Sequence, residues 1–534
     1  MTIRDRFQRF MRSTLFIWIT AVLPVLVGAS AFGQSVNVPL DYWGYEFMDR
    51  LEAKGIFSSL DLRARPVSRQ TVADIIAEID VKARKFPDLL TPAERALFDQ
   101  LKGDFIEELR NREGMIFPAK TENHLATWNT TASRTHVDIY GRQTVRSNRG
   151  RQFGSRQMLS ETVAGGILRA QLQGKIGFYL DARNRTIRDG NDRGQLTSPS
   201  GLFHFLPSEQ TFHKQAIGYL VYEKPWLLLE LGRDEINWGP GYRGALAISQ
   251  NLPPSDMLRL GVRFSRFRFS SMHALLKSDV GAKYLAAHRL DVMLLPGLYL
   301  GACESVVYGG RDIELSYINP FMPYHIAEHH LGDLDNNALS LDLTSTVITG
   351  VKLYGEFFID DMTSTQSLTK YFGNKFAFLF GGLWAEPFHF RNFDMRFEYT
   401  RIEPFVYSHH DSVNVYTSDD RIIGHWLGPN SDAAYLQAGY QLGRDVRIEL
   451  SLERLRKGAG AADTQSRPES GTEKHFLSGT VERQKRIGLV ISDQIRRDVF
   501  CRLSYVYQDV QNLAQIRGRF SHDHLVAFEL YFNY

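Results

Sequence analysis

Leu525-Val526-Ala527-Phe528-Glu529-Leu530-Tyr531-Phe532-Asn533-Tyr534 is the stretch whose reading decides the fold. Side chains of an extended strand point to opposite faces in turn. Val526, Phe528, Leu530, Phe532 and Tyr534 therefore share one face, which is wholly apolar and aromatic. Leu525, Ala527, Glu529, Tyr531 and Asn533 share the other, which admits Glu and Asn. Two homes suit such a strand. One is a bilayer-spanning barrel with lipid outside and a wet lumen inside; the other is a half-buried layer of a soluble sandwich.

The same alternation recurs upstream. Thr135, Val137 and Ile139 alternate with His136, Asp138 and Tyr140, and Phe178 and Leu180 with Tyr179, Asp181 and Arg183. Val351, Leu353, Phe357 and Ile359 stand against Lys352, Tyr354, Glu356 and Asp360. Val446, Ile448, Leu450 and Leu452 oppose Arg447, Glu449, Ser451 and Glu453. Sandwich strands average about five or six residues, and several of these patterns run longer. A tilted strand crossing a bilayer needs about nine to eleven. The expected fold is mainly β: a large antiparallel transmembrane β-barrel of about 18 strands over residues 116–534.

The beginning of the chain reads differently. Arg4, Arg6, Arg9 and Arg12 precede an apolar run from Leu15 to Val27, broken by Pro24, and Ala29-Ser30-Ala31 offers a small-residue cleavage site. That is the pattern of a cleaved signal peptide over residues 1–31, and no cysteine follows for a lipid anchor. Residues 35–115 switch to helical spacing and predict a small bundle on the periplasmic side. A first helix is expected over Tyr42 to Lys54 with Gly55 as its stop. Ser68 caps a second, whose stripe is Val72, Ile75, Ile76 and Ile79. Thr91-Pro92-Ala93-Glu94 combines a capping box with Pro at the first helical position, before a stripe from Leu97 to Leu109.

Composition agrees with this division. Of the 534 residues 43% are apolar and 12% aromatic, with 35 Phe and 23 Tyr, and mean hydropathy is -0.26. Hydropathy therefore makes no case for a helical membrane protein, and it is silent on a barrel, since only alternate strand residues meet lipid. A formal net charge of +3 argues against a nucleic-acid partner. The two cysteines, Cys303 and Cys501, exclude a disulfide framework and leave room for one long-range bridge, and they read as free strand residues. Long polar connections at 187–214 and 458–473 suit the extracellular end of a barrel. Arg146, Arg149, Arg151 and Arg156 read as another loop cluster, open to phosphates of lipopolysaccharide or carboxylates of an acidic glycan. The apolar parity shifts between Leu260-Val262-Phe264 and Phe267-Phe269, which predicts a β-bulge near Ser265.

Motifs of chemistry are present in form only. Gly239-Pro240-Gly241-Tyr242-Arg243-Gly244 matches a dinucleotide fingerprint, but Pro240 removes a needed N–H donor. His325-Ile326-Ala327-Glu328-His329 matches a zinc-peptidase pattern, yet Pro320, Pro323 and Gly332 confine it, so polar loop residues are expected there. Asp333, Asp335 and Asn336 lack a full calcium loop. Ser408, His409, His410 and Asp411 are adjacent on an extended segment and so face opposite ways. No catalytic set, cofactor or metal is expected.

Gly232-Arg233-Asp234-Glu235-Ile236-Asn237-Trp238-Gly239-Pro240-Gly241, continuing through Gly244, Leu246 and Ser249-Gln250-Asn251, resembles the Wzi capsule-assembly family. So do Asn319-Pro320 with Asp335-Asn336, Arg401-Ile402-Glu403-Pro404-Phe405, and Gly424-His425-Trp426-Leu427-Gly428-Pro429-Asn430. Pro39-Leu40-Asp41-Tyr42-Trp43 is similar to the entry into the family's helical region. The resemblance implies an 18-stranded outer-membrane barrel with a periplasm-side bundle. It implies a non-enzymatic, lectin-like anchor for capsular or extracellular polysaccharide in a Gram-negative bacterium.

Sugar contact needs aromatic faces beside planar hydrogen-bonding groups, and Trp238, Tyr242, Arg243, His425, Trp426 and Asn430 supply them. The bland alternative makes these aromatics turn-packing or girdle residues. Two other functions stay open at this point. A passive porin or glycan channel needs only the charged lumen, and an outer-membrane hydrolase needs a catalytic set assembled from distant strands. Membrane lipids, lipopolysaccharide and the insertion machinery that reads a terminal aromatic are further expected partners.

Overall fold

The computed structural model describes residues 36–110, 124–130, 133–150, 157–172, 176–189, 211–363 and 367–533. The expected signal peptide, Arg151, Arg156 and Tyr534 lie outside them. Eighteen antiparallel strands close into a ring. They are β1 (Ser133–Gly150), β2 (Gln157–Leu172), β3 (Ile176–Asp189), β4 (Thr211–Lys224), β5 (Leu227–Asp234) and β6 (Ser255–Phe264). Next come β7 (Phe267–Leu276), β8 (Lys283–Leu295), β9 (Leu298–Gly309), β10 (Asn336–Ser345), β11 (Val351–Met362) and β12 (Asn374–Ala385). The last six are β13 (Phe393–Ile402), β14 (Ser431–Leu442), β15 (Val446–Lys457), β16 (Glu482–Arg496), β17 (Val499–Gln511) and β18 (Phe520–Asn533). β18 pairs with β1 from Asp523↔Gly150 to Asn533↔Tyr140, so no edge is left.

The terminal strand behaves as its alternation dictates. Val526, Phe528, Leu530 and Phe532 are 39–47% exposed, while Leu525 and Ala527 are buried. Leu180, Leu258, Leu300, Leu353, Phe380, Leu450 and Leu503 are also exposed on other strands. Their inward neighbours Asp181, Arg259, Glu356 and Glu398 are buried. Apolar outside and charged inside is the reverse of a soluble sandwich. It is the arrangement of a barrel whose solvent is lipid. Inside, each charge needs a partner, and Arg289 has two: Asp291 and Asp342, both at 2.6 Å. Cys303 on β9 and Cys501 on β17 are free thiols.

Two strand-level expectations are corrected. Ser265 is no bulge: β6 and β7 pair Phe264↔Phe267 across a two-residue turn with Ser265 at φ 52°. Such a turn puts residues three apart on one face, which shifts apolar parity just as an inserted residue does. Arg146 and Arg149 belong to β1 and not to a loop, because that strand runs on to Gly150.

The chain before the barrel forms α1 (Gly44–Ala53), α2 (Arg69–Lys85), α3 (Pro92–Asp104) and a single turn, α4 (Ile106–Leu109). α1 starts later than Tyr42 because a turn, Tyr42 N–H to Pro39 O at 3.1 Å, precedes it. Gly55 takes φ 72° at its C-terminal stop. Ser68 Oγ accepts the Thr71 N–H, and Thr91 and Glu94 form the reciprocal capping box. The predicted stripe from Leu97 to Leu109 breaks at Phe105, whose φ of -115° ends α3. Val72, Ile75, Ile76 and Ile79 pack with Met48, Leu51, Phe98 and Leu101 in one core.

These helices sit in the mouth of the barrel where the strand connections are short. Lys352 Nζ, at the start of β11, reaches Asp49 at 2.7 Å and Glu52 at 2.9 Å on α1. Gly350 donates its N–H to Ala53 O at 2.7 Å, Thr91 Oγ1 bonds Asn392, and Arg497 bonds Asp104. The contacts come from turns around the ring, so the domain fills the opening and does not lean on one wall.

At the other end, residues 315–318 and 324–331 form two short helices, α5 (Leu315–Ile318) and α6 (Tyr324–Leu331). The His325–His329 segment is thus helical and not an irregular loop. Pro323 can open a helix and Gly332, at φ 104°, can close it within eight residues. His329 Nδ1 pairs with Asp333 at 3.2 Å.

Candidate functional site

Two long connections turn inward and fill one side of the lumen. One joins β5 to β6 and carries Trp238 to Asn251; the other joins β13 to β14 and carries Phe405 to Asn430. An inward loop brings unpaired backbone N–H groups into a buried place, where each must find an acceptor. The wall supplies carboxylates. Glu398 on β13 accepts the N–H of Tyr242 at 2.6 Å and of Arg243 at 2.9 Å. Glu356 on β11 accepts the N–H of Leu246 at 2.9 Å and of Ala247 at 3.0 Å. The glycine-rich stretch therefore turns its backbone N–H groups toward acceptors that are the protein's own carboxyl side chains. Gly244 lies at φ 153°, and a Cβ there would stand 3.0 Å from His425 Cδ2. Only glycine suits both demands.

The two loops then grip each other. Tyr407 Oη donates to Leu246 O at 2.7 Å, Ser249 Oγ to Gly424 O at 2.7 Å, and Trp426 Nε1 to Arg243 O at 2.8 Å. Trp238, Leu246, Ile248, Tyr407, Tyr416 and Ile423 form an apolar core with inward wall residues such as Met272, Val307 and Phe358. Asn237 and Trp238 also pair with Arg65 and Ala64, so the loop is stitched to the helical domain.

The six sequence candidates divide accordingly. Trp238, His425 and Asn430 are each 1% exposed. Asn430 holds the 458–478 connection, donating from Nδ2 to Ala459 O and accepting the Leu477 N–H. His425 stacks on Trp426 at 5.5 Å between rings. Burial, with Arg243 beside it, lowers its pKa to about 3, so the ring is neutral. Its Nε2 meets no hydrogen-bond partner among the described residues. Tyr242, Arg243 and Trp426 are half-buried. Arg243 lies over the Tyr435 ring at 4.7 Å and the Trp426 ring at 5.9 Å. Tyr242, Arg243, His425 and Trp426 thus come together, with Trp238 and Asn430 elsewhere in the loops.

Beside this plug a cavity of about 620 Å³ remains, and Tyr242 and Arg243 form part of its wall. The opposite wall comes from β1–β3 and β15–β18, and of it the sequence singles out Arg146 alone: Arg142, Arg146, Arg183, Arg185, Arg486 and Arg502 face Glu161, Glu449, Glu453 and Glu529. Arg185 grips Glu161 through Nε at 2.9 Å and Nη2 at 3.2 Å. Glu453 is shared by Arg243 at 3.1 Å and Arg486 at 3.0 Å. With Arg421 and Glu235 added, eight arginines meet five glutamates around the cavity, which leaves a positive surplus for an acidic ligand. The signal was present in the sequence only as arginines at alternate positions of strand-like runs. Elsewhere, Ser408 Oγ donates to Ala461 O at 3.0 Å and takes no part in a relay with His409.

A closed lipid-facing barrel, filled by its own loops and by a helical domain in one mouth, is a transmembrane barrel of the outer-membrane class. The chain belongs to the family described as capsule assembly protein Wzi, whose sequence pattern matches residues 128–525. Its fold is similar to that of the Escherichia coli outer membrane protein Wzi, described as a carbohydrate-binding β-barrel involved in group 1 capsule assembly. The TM-score is 0.58 at 13% identity, covering 94% of this chain and 99% of that one. Acinetobacter baumannii OccAB1 aligns over 75% of this chain and 96% of its own, at 8% identity and TM-score 0.43. Pseudomonas aeruginosa OccK3 aligns over 75% and 95%, at 12% identity and TM-score 0.43. No curated protein sequence matches the chain. The protein is an outer-membrane barrel of a Gram-negative bacterium, acting in capsule assembly.

Proposed function

We propose that the protein is a non-enzymatic, lectin-like anchor that holds an acidic capsular or extracellular polysaccharide at the cell surface. The observation that carries this reading is the arginine-rich cavity beside a plug made of the protein's own loops. A passive porin needs an open lumen, whereas here an apolar core and a ladder of carboxylate–amide bonds occupy one side of it. Of the sequence candidates, Tyr242 and Arg243 would touch sugar, since both are half-buried and line the cavity, while Trp426 supports Arg243 through its Nε1–H. Guanidinium groups would take the glycan's carboxylates while aromatic faces take its sugar rings. Residues 1–31 serve export, the helical domain faces the periplasm, and the aromatic end of β18 is read by the insertion machinery. The long-loop end then meets lipopolysaccharide and glycan outside.

The test compares surface polysaccharide between wild type and a deletion strain. A shed fraction that appears on deletion and disappears on complementation is the expected result. Fully cell-associated glycan in the deletion strain, with steady conductance of the purified protein in planar bilayers, would replace the anchor by a channel.

A further inference from the structure

Where the helical domain meets the first barrel strand, Glu107 of α4 faces two imidazoles. His136 of β1 brings Nε2 to 2.5 Å from Glu107 Oε1, and His124 brings its Nε2 to 3.6 Å from the same oxygen. The rings lie 4.2 Å apart, and one donor atom from each of the three residues falls within 4.8 Å of the other two. Behind them stands a second layer. His124 Nδ1 is 2.8 Å from Asp138 Oδ1, and His136 Nδ1 is 3.1 Å from Thr127 Oγ1. Arg169 in turn holds Asp138 at 3.4 Å.

A neutral imidazole has one N–H. Asp138 can only accept, so His124 gives it Nδ1–H and turns an Nε2 lone pair toward Glu107; His136 does the same when Thr127 Oγ1 accepts its Nδ1–H, and its buried Nε2 has no hydrogen-bond partner among the described residues. Three converging lone pairs call for a cation between them. Outer oxygens that fix the histidine tautomer and orient the ring are the usual support of a metal ligand. Two imidazoles and a carboxylate suit a borderline divalent ion, zinc above all, and leave a further position for water. Zinc–nitrogen bonds of about 2.0–2.1 Å require Glu107 to move back from His136 only slightly.

We infer that Glu107, His124 and His136 bind one divalent transition-metal ion, zinc the best match, which clips the last turn of the helical domain to the barrel wall. The site is built from three segments, so neither the spacing of the histidines nor any local motif announces it. It is separate from the arginine-lined cavity and independent of the glycan reading.

The test uses the full-length protein in detergent, free of any histidine tag and stripped with chelator. Zinc titrated calorimetrically should bind at one equivalent per chain, and cobalt should give the visible absorption of a four- or five-coordinate nitrogen–oxygen site. His124→Ala and His136→Ala should each weaken binding at least 10-fold. Asp138→Asn, which keeps the ligands and alters their support, should weaken it about 10- to 100-fold. Heat-modifiable migration on gels checks that each variant still forms its barrel. Absence of stoichiometric binding by the folded wild type would show that the imidazoles are simply protonated partners of Glu107, and so would affinity unchanged in the double histidine variant.

Discussion

Arg50 on α1 and Asp394 at the foot of β13 are 2.5 Å apart, though 344 residues separate them in sequence. The same guanidinium bonds Glu94 at 2.9 Å and Glu386 at 3.0 Å. Side chains here are about 9% exposed for Arg50 and 7% for Asp394, so removing the cation strands buried carboxylates. Arg50→Ala is expected to cost about 3–5 kcal/mol of docking. Hydrogen exchange should rise across α1 while the barrel keeps its heat-modifiable migration. Unchanged protection of α1 would refute the role of this cluster.

Acidification should release the same domain, and only in strong acid. Burial alone would raise the Asp49 carboxyl, but Lys352, Arg65 and Arg396 outweigh it and hold the group well below the usual carboxylate range. Glu94 is likewise lowered by Lys54 and Arg50 against its burial. A depressed folded pKa gives stability that is complete above the unfolded value, about 3.9 for Asp, and lost as pH falls toward the folded one. Protease sensitivity of α1–α3 should therefore stay flat from pH 7 to about pH 4 and climb below it. Release already complete at pH 5 would contradict this ordering of charges.

The wall carboxylates hold the inward loop by its backbone. Glu356→Ala leaves two buried N–H groups, those of Leu246 and Ala247, without acceptors. Each orphan costs about 1–3 kcal/mol, enough to free the loop while the strand ladder stays whole. Planar-bilayer recordings should show openings that the wild type lacks, and limited proteolysis should cut near residues 240–250. A silent, protease-resistant variant would mean that the apolar core alone secures the plug.

His425 makes the plug sensitive to mild acid. Its ring is buried neutral with a pKa near 3, whereas an unfolded or released histidine titrates near about 6.5. Stability from the neutral ring is complete above the released value and declines as pH falls from there toward the folded one. His409, lowered to about 4 by burial and by His410, acts in the same direction. Openings should become more frequent between pH 6.5 and 4, and His425→Phe should flatten that dependence, whatever the loss of the Leu427 N–H acceptor does to the openings at pH 7. Equal pH dependence in wild type and variant would assign the effect to other groups.

Periodicity made the barrel legible. Residues such as Leu353 and Glu356 lie on opposite faces whatever their distant neighbours are, so a local pattern suffices. Ser68, Thr91 and Gly55 were legible for the same reason: a cap acts within a few residues. Ser265 was misread because a two-residue turn and a bulge shift parity alike. The site was harder. Glycines and aromatics marked the inward loops, yet the acceptors of Tyr242 and Leu246 lie 156 and 110 positions away. Nothing near residue 240 announces Glu398 or Glu356. Arg146 and Arg185 face Glu161 only once β1, β2 and β3 are in register, and sequence alone cannot set that register.

The cavity arginines carry the last prediction. Arg142 has no carboxylate within 4 Å among the described residues, and Arg502 stands 3.9 Å from Glu449. With Arg421, which likewise forms no ion pair among the described residues, they are the cavity cations least committed to the protein itself, and so the ones most able to take a glycan carboxylate. A charge-assisted hydrogen bond is worth about 1.5–3 kcal/mol, so Arg142→Ala or Arg502→Ala should each weaken binding of an acidic oligosaccharide about 10- to 100-fold. Because the contact is ionic, raising salt should narrow the gap between wild type and variant. Arg233→Ala is the control: its pair with Asp256 is exposed at 41% and 50%, and such pairs contribute about 0–1 kcal/mol. Calorimetric titration of the native cell-surface glycan, cut to oligosaccharides, reads the affinity, and the shed fraction of polysaccharide in the complemented strains reads its consequence. A neutral glycan bound equally by all three variants would move recognition from the arginines to the aromatic wall of Tyr242 and Tyr435.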